Sequence, residues 1–208
     1  MKKVGVLISG RGSNLQALID AQARLGAYEI ALVVSNVADA GGLARAEAAG
    51  IATRMIEHRA FGKDRERFER AIDAILRAAG IEIVALAGFM RVLTPYFVNA
   101  WRDKILNIHP SLLPAFPGRD THARALEAGV KLHGCTVHLV REAVDDGPIL
   151  GQAAIAVTPE DTPESLAARL LPVEHALYPL CLAAFAGGNV QPAAFPLALN
   201  FWVPAKPR

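Results

Sequence analysis

Residues 107–114, Asn-Ile-His-Pro-Ser-Leu-Leu-Pro, place an amide, an imidazole and a hydroxyl between an apolar run and two prolines. The apolar residues 105–106 are typical of a strand end, and alternate strand residues point to one face, so Asn107 and His109 project together. Pro110 excludes the helical region for His109 and keeps the segment extended. A hydrogen-bond donor and a group that titrates near neutrality therefore share one strand end, where α/β proteins place their chemistry. The alternative is a polar pair that only closes the strand.

A glycine-rich turn at residues 10–14 follows the apolar run 4–8, which is typical of a strand buried on both faces. Ser13 stands three residues before Gln16, the spacing of a capping box, which predicts a helix over residues 15–23. Exposed N–H groups and the positive end of the helix dipole make such a turn a natural phosphate site. The third glycine of the dinucleotide fingerprint and the Gly-Lys-Ser/Thr of a Walker loop are absent. We therefore expect a single phosphate, with a plain strand-to-helix turn as the alternative.

Strands and helices alternate along the rest of the N-terminal half. Further strands are predicted at residues 30–35, 52–56 and 81–87, and further helices at 42–50, 63–79, 96–101, 122–128 and 163–185. This alternation predicts an α/β fold with a doubly wound, Rossmann-like, mostly parallel sheet flanked by helices. Residues 135–140 and 149–157 predict an antiparallel hairpin in the C-terminal half. Pro172 and Pro179 are expected to kink or split the last helix.

The connections carry four local expectations. We predict a cis peptide bond before Pro114, and we expect His58 to be a solvated loop residue. Residues 88–95 form either a packed connection or the wall of a pocket for a flat heterocycle, because backbone polar groups between apolar side chains can bind a ring edge. The adjacent Asp145 and Asp146 are typical turn residues, although one of them can set the protonation of a neighbouring histidine.

Composition sets the broad class. The 208 residues are 52% hydrophobic with a net charge of +2, which indicates a globular protein and gives no sign of a nucleic-acid surface. Cys135 and Cys181 fit small buried side chains in a reducing compartment. No apolar run is long enough for a signal peptide or a membrane span, so we expect a cytoplasmic protein with no membrane partner. The six histidines form no ligand cluster, so no metal is expected.

Taken together, the motifs resemble the phosphoribosylglycinamide formyltransferase family of purine biosynthesis. The resemblance covers residues 4 to about 185 and rests on five motifs at residues 8–14, 86–91, 107–114, 117–122 and 133–138. It implies a formyltransferase domain over residues 1–188, with a phosphate-binding half at about 1–100 and a folate-binding, catalytic half at about 101–188. Residues 189–208 would form a C-terminal tail.

The resemblance also implies the site residues, carried over position by position. The catalytic residues would be Asn107, His109 and Asp145, and the acceptor glycinamide ribonucleotide (GAR) would be bound by Gly12, Ser13, Asn14 and Glu174. The folate would be bound by Arg65, Met90, Arg91, Val92, Leu93, Asn107, Arg141, Glu142, Ala143, Val144 and Asp145. Leu171 and Pro172 depart from the family pattern, which often has polar residues there, so the resemblance implies no acceptor contact at these two positions.

The implied reaction transfers a formyl group from 10-formyltetrahydrofolate to the amine of GAR. Asn107 would donate to the oxyanion, and His109, kept cationic by Asp145, would act as general acid. Three alternatives remain at this stage: another folate formyltransferase, a formyltetrahydrofolate hydrolase, and a non-catalytic phosphosugar-binding module of Rossmann type. The expected partners are the two small-molecule substrates, and the sequence leaves open whether the chain forms a homodimer.

Overall fold

The structure is a computed structural model that describes residues 1–188. Within those residues the strands β1 to β7 are Lys2–Ile8, Tyr28–Ser35, Ala52–Met55, Ile83–Leu86, Ile105–His109, Leu132–Leu139 and Ile149–Ala156. The α-helices α1 to α6 of the same range are Ser13–Leu25, Gly41–Ala48, Arg65–Ala78, Pro95–Ala100, Thr121–Glu127 and Pro163–Ala186. A 3-10 helix, His58–Phe61, precedes α3. The expected tail, residues 189–208, lies outside the described part of the chain.

The seven strands form one sheet in the order β3-β2-β1-β4-β5-β6-β7. Neighbours from β3 to β5 are parallel, as predicted for a doubly wound fold, and β6 and β7 form the predicted antiparallel pair. β6 is also antiparallel to β5, with Asn107 opposite His138. The strand order reverses between β1 and β4, and such a switch point opens a crevice at the carboxyl ends of the strands.

Hydrophobic clusters cover both faces of this sheet. On one face α1 and α6 pack on β1 through residues such as Leu15, Leu18 and Leu182. On the other face Phe68 and Phe97 belong to a second cluster formed with α3 and α4. With both faces buried, the sheet is a rigid support for the loops at its edge.

A buried carboxylate fixes α4, the helix that leads into β5. Asp73 on α3 accepts hydrogen bonds from Arg77 (2.8 Å), Tyr96 (2.9 Å) and Trp101 (2.8 Å). Although burial raises the pKa of Asp73, these donors outweigh it and hold the pKa below its usual value. The contacts position the chain just before the strand that carries Asn107.

The start of α1 corrects one prediction, the capping box. Gly12 is the N-cap, in a left-handed conformation with φ of 73°, and no side chain caps the helix. Ser13 is the first helical residue, and the Gln16 N–H donates to the backbone oxygen of Gly12 at 2.9 Å. Asp120 likewise precedes α5 with a positive φ and without a side-chain bond to the helix. Backbone conformation, and not a capping side chain, starts both helices.

Of three further expectations, one was wrong, one was wrong in part and one is confirmed. The last helix, α6, is not split, although Pro172 and Pro179 lie inside it, because its packing on the sheet and α1 offsets the two lost backbone bonds. His58 is half-buried, with Nδ1 at 2.9 Å from the backbone oxygen of Asn36. The Leu113–Pro114 peptide bond is cis, as predicted.

We expect Gly134→Ala to destabilise this fold. A Cβ at Gly134 would lie 2.1 Å from the backbone oxygen of Ala153 and 2.7 Å from Leu112, whereas a Cβ at Gly41 meets Arg11 at an ordinary 3.7 Å. Over-packing of this kind costs about 1–3 kcal/mol. Urea titration should show that loss of unfolding free energy for Gly134→Ala and a change within about 0.5 kcal/mol for the control Gly41→Ala. Equal stability of the two variants would contradict the close approach of β6 and β7.

Candidate active site

Asn107 on β5 and His138 on β6 meet across the antiparallel pair. The Nδ2 of Asn107 lies 3.2 Å from Nε2 of His138, and Nδ1 of His138 lies 3.1 Å from the backbone oxygen of Leu139. Because a carbonyl only accepts, Nδ1 carries the hydrogen and Nε2 accepts from Asn107. Burial lowers the pKa of His138, consistent with this neutral tautomer. One hydrogen of the Asn107 amide is thereby held, and the other is left for a ligand.

Asp145 joins the two histidines of this strand pair to the loop after β5. Its carboxylate lies 3.4 Å from Nδ1 of His109 and 3.7 Å from Nε2 of His138. It also accepts a 2.8 Å hydrogen bond from the Gly118 N–H. Asp145 itself adopts a positive φ of 55°, a conformation that costs energy for a residue other than glycine and is often found at functional sites.

The remaining nitrogen of His109 also has a partner in the loop after β5. Nε2 lies 3.1 Å from the backbone oxygen of Phe116, so it donates there. Phe116 has a positive φ of 54°. His109 is 5% exposed, so its ring is fixed on both sides by Asp145 and by this loop.

Two more histidines lie behind the loop and are held neutral by burial. Nδ1 of His122 lies 3.1 Å from Nε2 of His133, and the two rings meet edge to face. Burial lowers the pKa of His133 to about 4, and it lowers the pKa of His122 as well. Phe116 packs against the ring of His133. The pair supports the same loop that contacts His109.

The expected phosphate loop follows β1, and backbone contacts shape it. A Cβ at Gly12 would lie 2.5 Å from the Cα of Gly42, so the glycine allows α2 to pack against the loop. A side chain at position 12 would therefore collide with α2 before it reached a ligand. Ser13 and Asn14 form the first turn of α1, whose N–H groups have no side-chain cap.

Asn14 and Glu174 link the phosphate loop to α6. The Nδ2 of Asn14 donates to Glu174 at 2.8 Å, while its buried Oδ1 has no partner within the described residues. Burial raises the pKa of Glu174, and the bond from Asn14 opposes that shift. The pair offers acceptor oxygens to a ligand that brings hydrogen-bond donors.

The first segment expected to bind folate lies at the turn after β4. Met90 is 80% exposed and Val92 is 55% exposed, which is unusual for large apolar side chains. Arg65 donates to the backbone oxygen of Val92, and the Arg91 guanidinium lies over the ring of Phe68 at 5.5 Å. Both arginines therefore brace this turn against α3.

The second expected segment lies between β6 and β7. Arg141 pairs with Asp103, and Glu142 accepts from Asn99 at 2.8 Å, so both charged side chains contact the region around α4. Val144 is 52% exposed.

Both segments adjoin one hydrophobic cluster, which contains Leu93 of the first segment and against which the flanking residues Phe89 and Val140 pack. Ala143, in the second segment, is exposed to solvent. The structure brings Asp145 to His109 and brings Asn14 to Glu174.

Sequence reasoning missed three contributing groups, two on the backbone and one hydroxyl. The carbonyl of Phe116 accepts from His109 and the N–H of Gly118 donates to Asp145, and only the Pro-Gly motif at residues 117–118 marks that loop in the sequence. Ser9 was also missed: its Oγ accepts from the Met90 N–H at 2.8 Å and donates to Asn36 at 2.6 Å. These bonds join the ends of β1, β2 and β4.

The fold and the site together define a formyl transferase. A family model described as "Formyl transferase" matches residues 2–182, and the chain belongs to that family. It is 46% identical over 187 residues to the phosphoribosylglycinamide formyltransferase of Escherichia coli K12, covering 89% of this chain and 88% of that protein. It also resembles the crystal structure of phosphoribosylglycinamide formyltransferase from Brucella melitensis, with a TM-score of 0.85 and 54% identity. That match covers 91% of this chain and 98% of the Brucella chain.

A longer relative contains this unit as one part. The chain is 50% identical over 190 residues to the human trifunctional purine biosynthetic protein adenosine-3, which covers 91% of this chain. The match spans only 19% of the human protein.

Several other features of residues 1–188 bear on the earlier expectations. No group of three or more His, Cys, Asp or Glu side chains in this range is arranged to hold a metal ion. In the same range, no helix has the length and apolar character needed to cross a membrane. Cys135 and Cys181 are buried and free, as expected, and burial raises the pKa of Cys181 to about 12.

The buried His133 predicts an acid-sensitive stability. Its folded-state pKa, about 4, lies below the ordinary value of 6.5, so the unfolded chain binds the proton first as the pH falls. The contribution of His133 to the free energy of unfolding is therefore complete above about pH 6.5. It is lost as the pH falls towards about 4, and the loss is on the order of 3 kcal/mol. Urea unfolding at a series of pH values should show a shallower decline in this window for His133→Gln than for the unmodified chain. Identical slopes would mean that His133 is not held neutral.

Proposed function

We propose that this protein transfers a formyl group from 10-formyltetrahydrofolate to the amine of GAR, giving formyl-GAR and tetrahydrofolate. The observation that carries the proposal is the convergence of Asn107, His109 and Asp145 at one strand end. Asn14 and Glu174 add a second polar pair beside the phosphate loop. The named relatives act on the same acceptor and support the assignment.

The acceptor would bind along α1 and α6. The uncapped N–H groups of residues 12–14 suit its phosphate. Glu174 and the unpaired Oδ1 of Asn14 accept hydrogen bonds from its ribose hydroxyl or amine. This arrangement satisfies a buried acceptor atom that has no partner otherwise.

The donor would bind between the two segments at residues 90–93 and 141–145. The exposed Met90, Val92 and Val144 gain apolar contacts with a flat ring system, and backbone groups there can bind the ring edge. The folate-derived donor is the formyl source that a family acting on GAR requires.

Formyl transfer then uses the three polar groups in order. The acceptor nitrogen attacks the formyl carbon, a C–N bond forms, and the carbonyl oxygen becomes an oxyanion. The free amide hydrogen of Asn107 donates to that oxygen. The Nε2–H of His109 leaves the backbone oxygen of Phe116 and donates a second hydrogen bond to the same oxyanion. The bond to N10 of the folate breaks as His109 protonates N10, while Asp145 takes up the proton lost by the amine, directly or through water.

Two other functions remain distinguishable by experiment. A formyltetrahydrofolate hydrolase would use the same residues with water as the nucleophile, and a binding module would use only the phosphate loop. The proposal requires two small-molecule substrates, and it sets no condition on the homodimer that the sequence left open.

The deciding experiment is a turnover assay with 10-formyltetrahydrofolate in the presence and absence of GAR. We expect tetrahydrofolate to accumulate only when GAR is present, with formyl-GAR formed in equal amount. Deformylation without GAR would indicate the hydrolase, and no turnover in either mixture would indicate a binding module. Glycine in place of GAR is the control for the contribution of the phosphoribosyl group.

We further expect Asn107→Ala to lower kcat about 10²-fold to 10³-fold, because one oxyanion donor is lost. The loss should be similar at every pH, since an amide does not titrate. Asn107→Asp, which keeps the shape but lacks the donor, should be at least as defective. Steady-state kinetics on variants with unchanged thermal unfolding would test this, and a loss confined to KM would overturn the oxyanion role.

A further inference from the structure

A cavity of about 650 Å³ lies beside the phosphate loop, between α1, α2 and α6. Small apolar side chains and a rim of polar ones line it: Ala17, Ala21 and Pro179, with Ser13, Gln16, Asp20, Arg24, Arg45 and His175. Ser13 belongs both to the loop and to the cavity wall. The cavity is therefore continuous with the place proposed for the acceptor's phosphate.

Arg45 on α2 is fixed at the mouth of this cavity. Its Nε donates to the backbone oxygen of Arg11 at 2.9 Å, and its Nη1 donates to Gln16 at 3.3 Å. Its Cδ lies 3.5 Å from the point where a Cβ of Gly12 would stand. The close approach of Gly12 and Gly42 therefore places an arginine stem directly on the phosphate loop.

The guanidinium of Arg45 is still available to a ligand. Within residues 1–188 its Nη2 makes no hydrogen bond and no carboxylate pairs with it; Asp20 instead accepts from Gln16 at 2.8 Å. The buried Oδ1 of Asn14 and the buried Nε2 of His175 also lack partners in the described residues. Arg45 is exposed, so its free donors face solvent beside two buried polar atoms that lack partners, and it is these buried atoms that favour a polar ligand at the site.

We propose that Arg45 binds the phosphate of the acceptor and sets the preference for a phosphorylated acceptor over its unphosphorylated form. The inference rests on the proposed function. The loop's N–H groups and the helix dipole provide only partial charge, whereas a phosphate monoester carries nearly two negative charges near neutrality. A guanidinium held by two hydrogen bonds supplies a full charge with paired donors at little further loss of side-chain entropy.

The chain offers a matched control in Arg24. It lines the same cavity but stands 11 residues after Ser13 on α1, or about 16 Å along the helix axis. Arg24→Ala removes the same charge from the cavity without touching the loop. Arg45→Lys keeps the charge of Arg45 and removes its forked donors.

The test compares GAR with glycinamide riboside, the same acceptor without phosphate. For Arg45→Ala we expect the KM of GAR to rise about 10-fold to 100-fold, the value for loss of one charge-assisted contact. The kcat and the KM of the folate donor should stay within about 2-fold, and kcat/KM for the riboside should not change. Arg45→Lys should be intermediate, and Arg24→Ala should behave as the unmodified chain.

Calorimetric titration with inorganic phosphate keeps the test independent of turnover. Phosphate should bind the unmodified chain and Arg24→Ala with the same Kd. For Arg45→Ala the Kd should be higher by about 10-fold or more. If Arg45→Ala binds phosphate normally, or loses kcat/KM equally with both acceptors, Arg45 only braces the loop and the inference is overturned. If phosphate binding falls as expected while the unmodified chain transfers no formyl group to GAR, the proposed function fails and the phosphate contact stands.

Discussion

The Asp145 carboxylate holds together the parts of the molecule that the proposed chemistry needs. It faces His109 at the end of β5 and His138 on β6, and it accepts the backbone N–H of Gly118 from the loop between those strands. A carboxylate that is mostly buried requires several such partners to offset its desolvation. The same bonds that satisfy its charge therefore fix three parts of the chain relative to one another. These are the end of β5, the loop that carries Gly118 and the loop between β6 and β7 that carries Asp145 itself.

A second constraint is close backbone packing, which positions the loop proposed to bind the acceptor's phosphate. A Cβ at Gly12 would lie 2.5 Å from the Cα of Gly42, and a Cβ at Gly42 would lie 2.5 Å from Cδ1 of Ile8 and 3.2 Å from the Cα of Gly12. That contact fixes α2 against the turn after β1 and carries Arg45 to the turn. Glycine at these positions thus serves a helix-to-loop contact, and any effect of a larger residue at position 12 would begin with displacement of α2.

The sequence was sufficient for the sheet, the hairpin and the pairing of Asn107 with His109 on one face, because these follow from periodicity along short segments. It was insufficient where the deciding contact joins distant residues. The expected capping box failed because Gly12 turns the chain through a left-handed conformation that Gly42 accommodates. The expected split of α6 did not occur, because burial of a long apolar face outweighs two missing hydrogen bonds. The contacts of Phe116 and Gly118 use backbone atoms, so residue type does not reveal their partners, although the Pro-Gly motif at residues 117–118 marks the loop.

The histidines around the site have different roles because their surroundings differ. Burial lowers the pKa of His122, His133 and His138, so near neutral pH these rings are uncharged and serve as hydrogen-bonding supports. His138 uses its neutral tautomer to orient the amide of Asn107, and the other two stand behind the loop that contacts His109. The neutrality of these three rings leaves His109, with its carboxylate partner, as the group that we propose delivers a proton to the departing folate nitrogen.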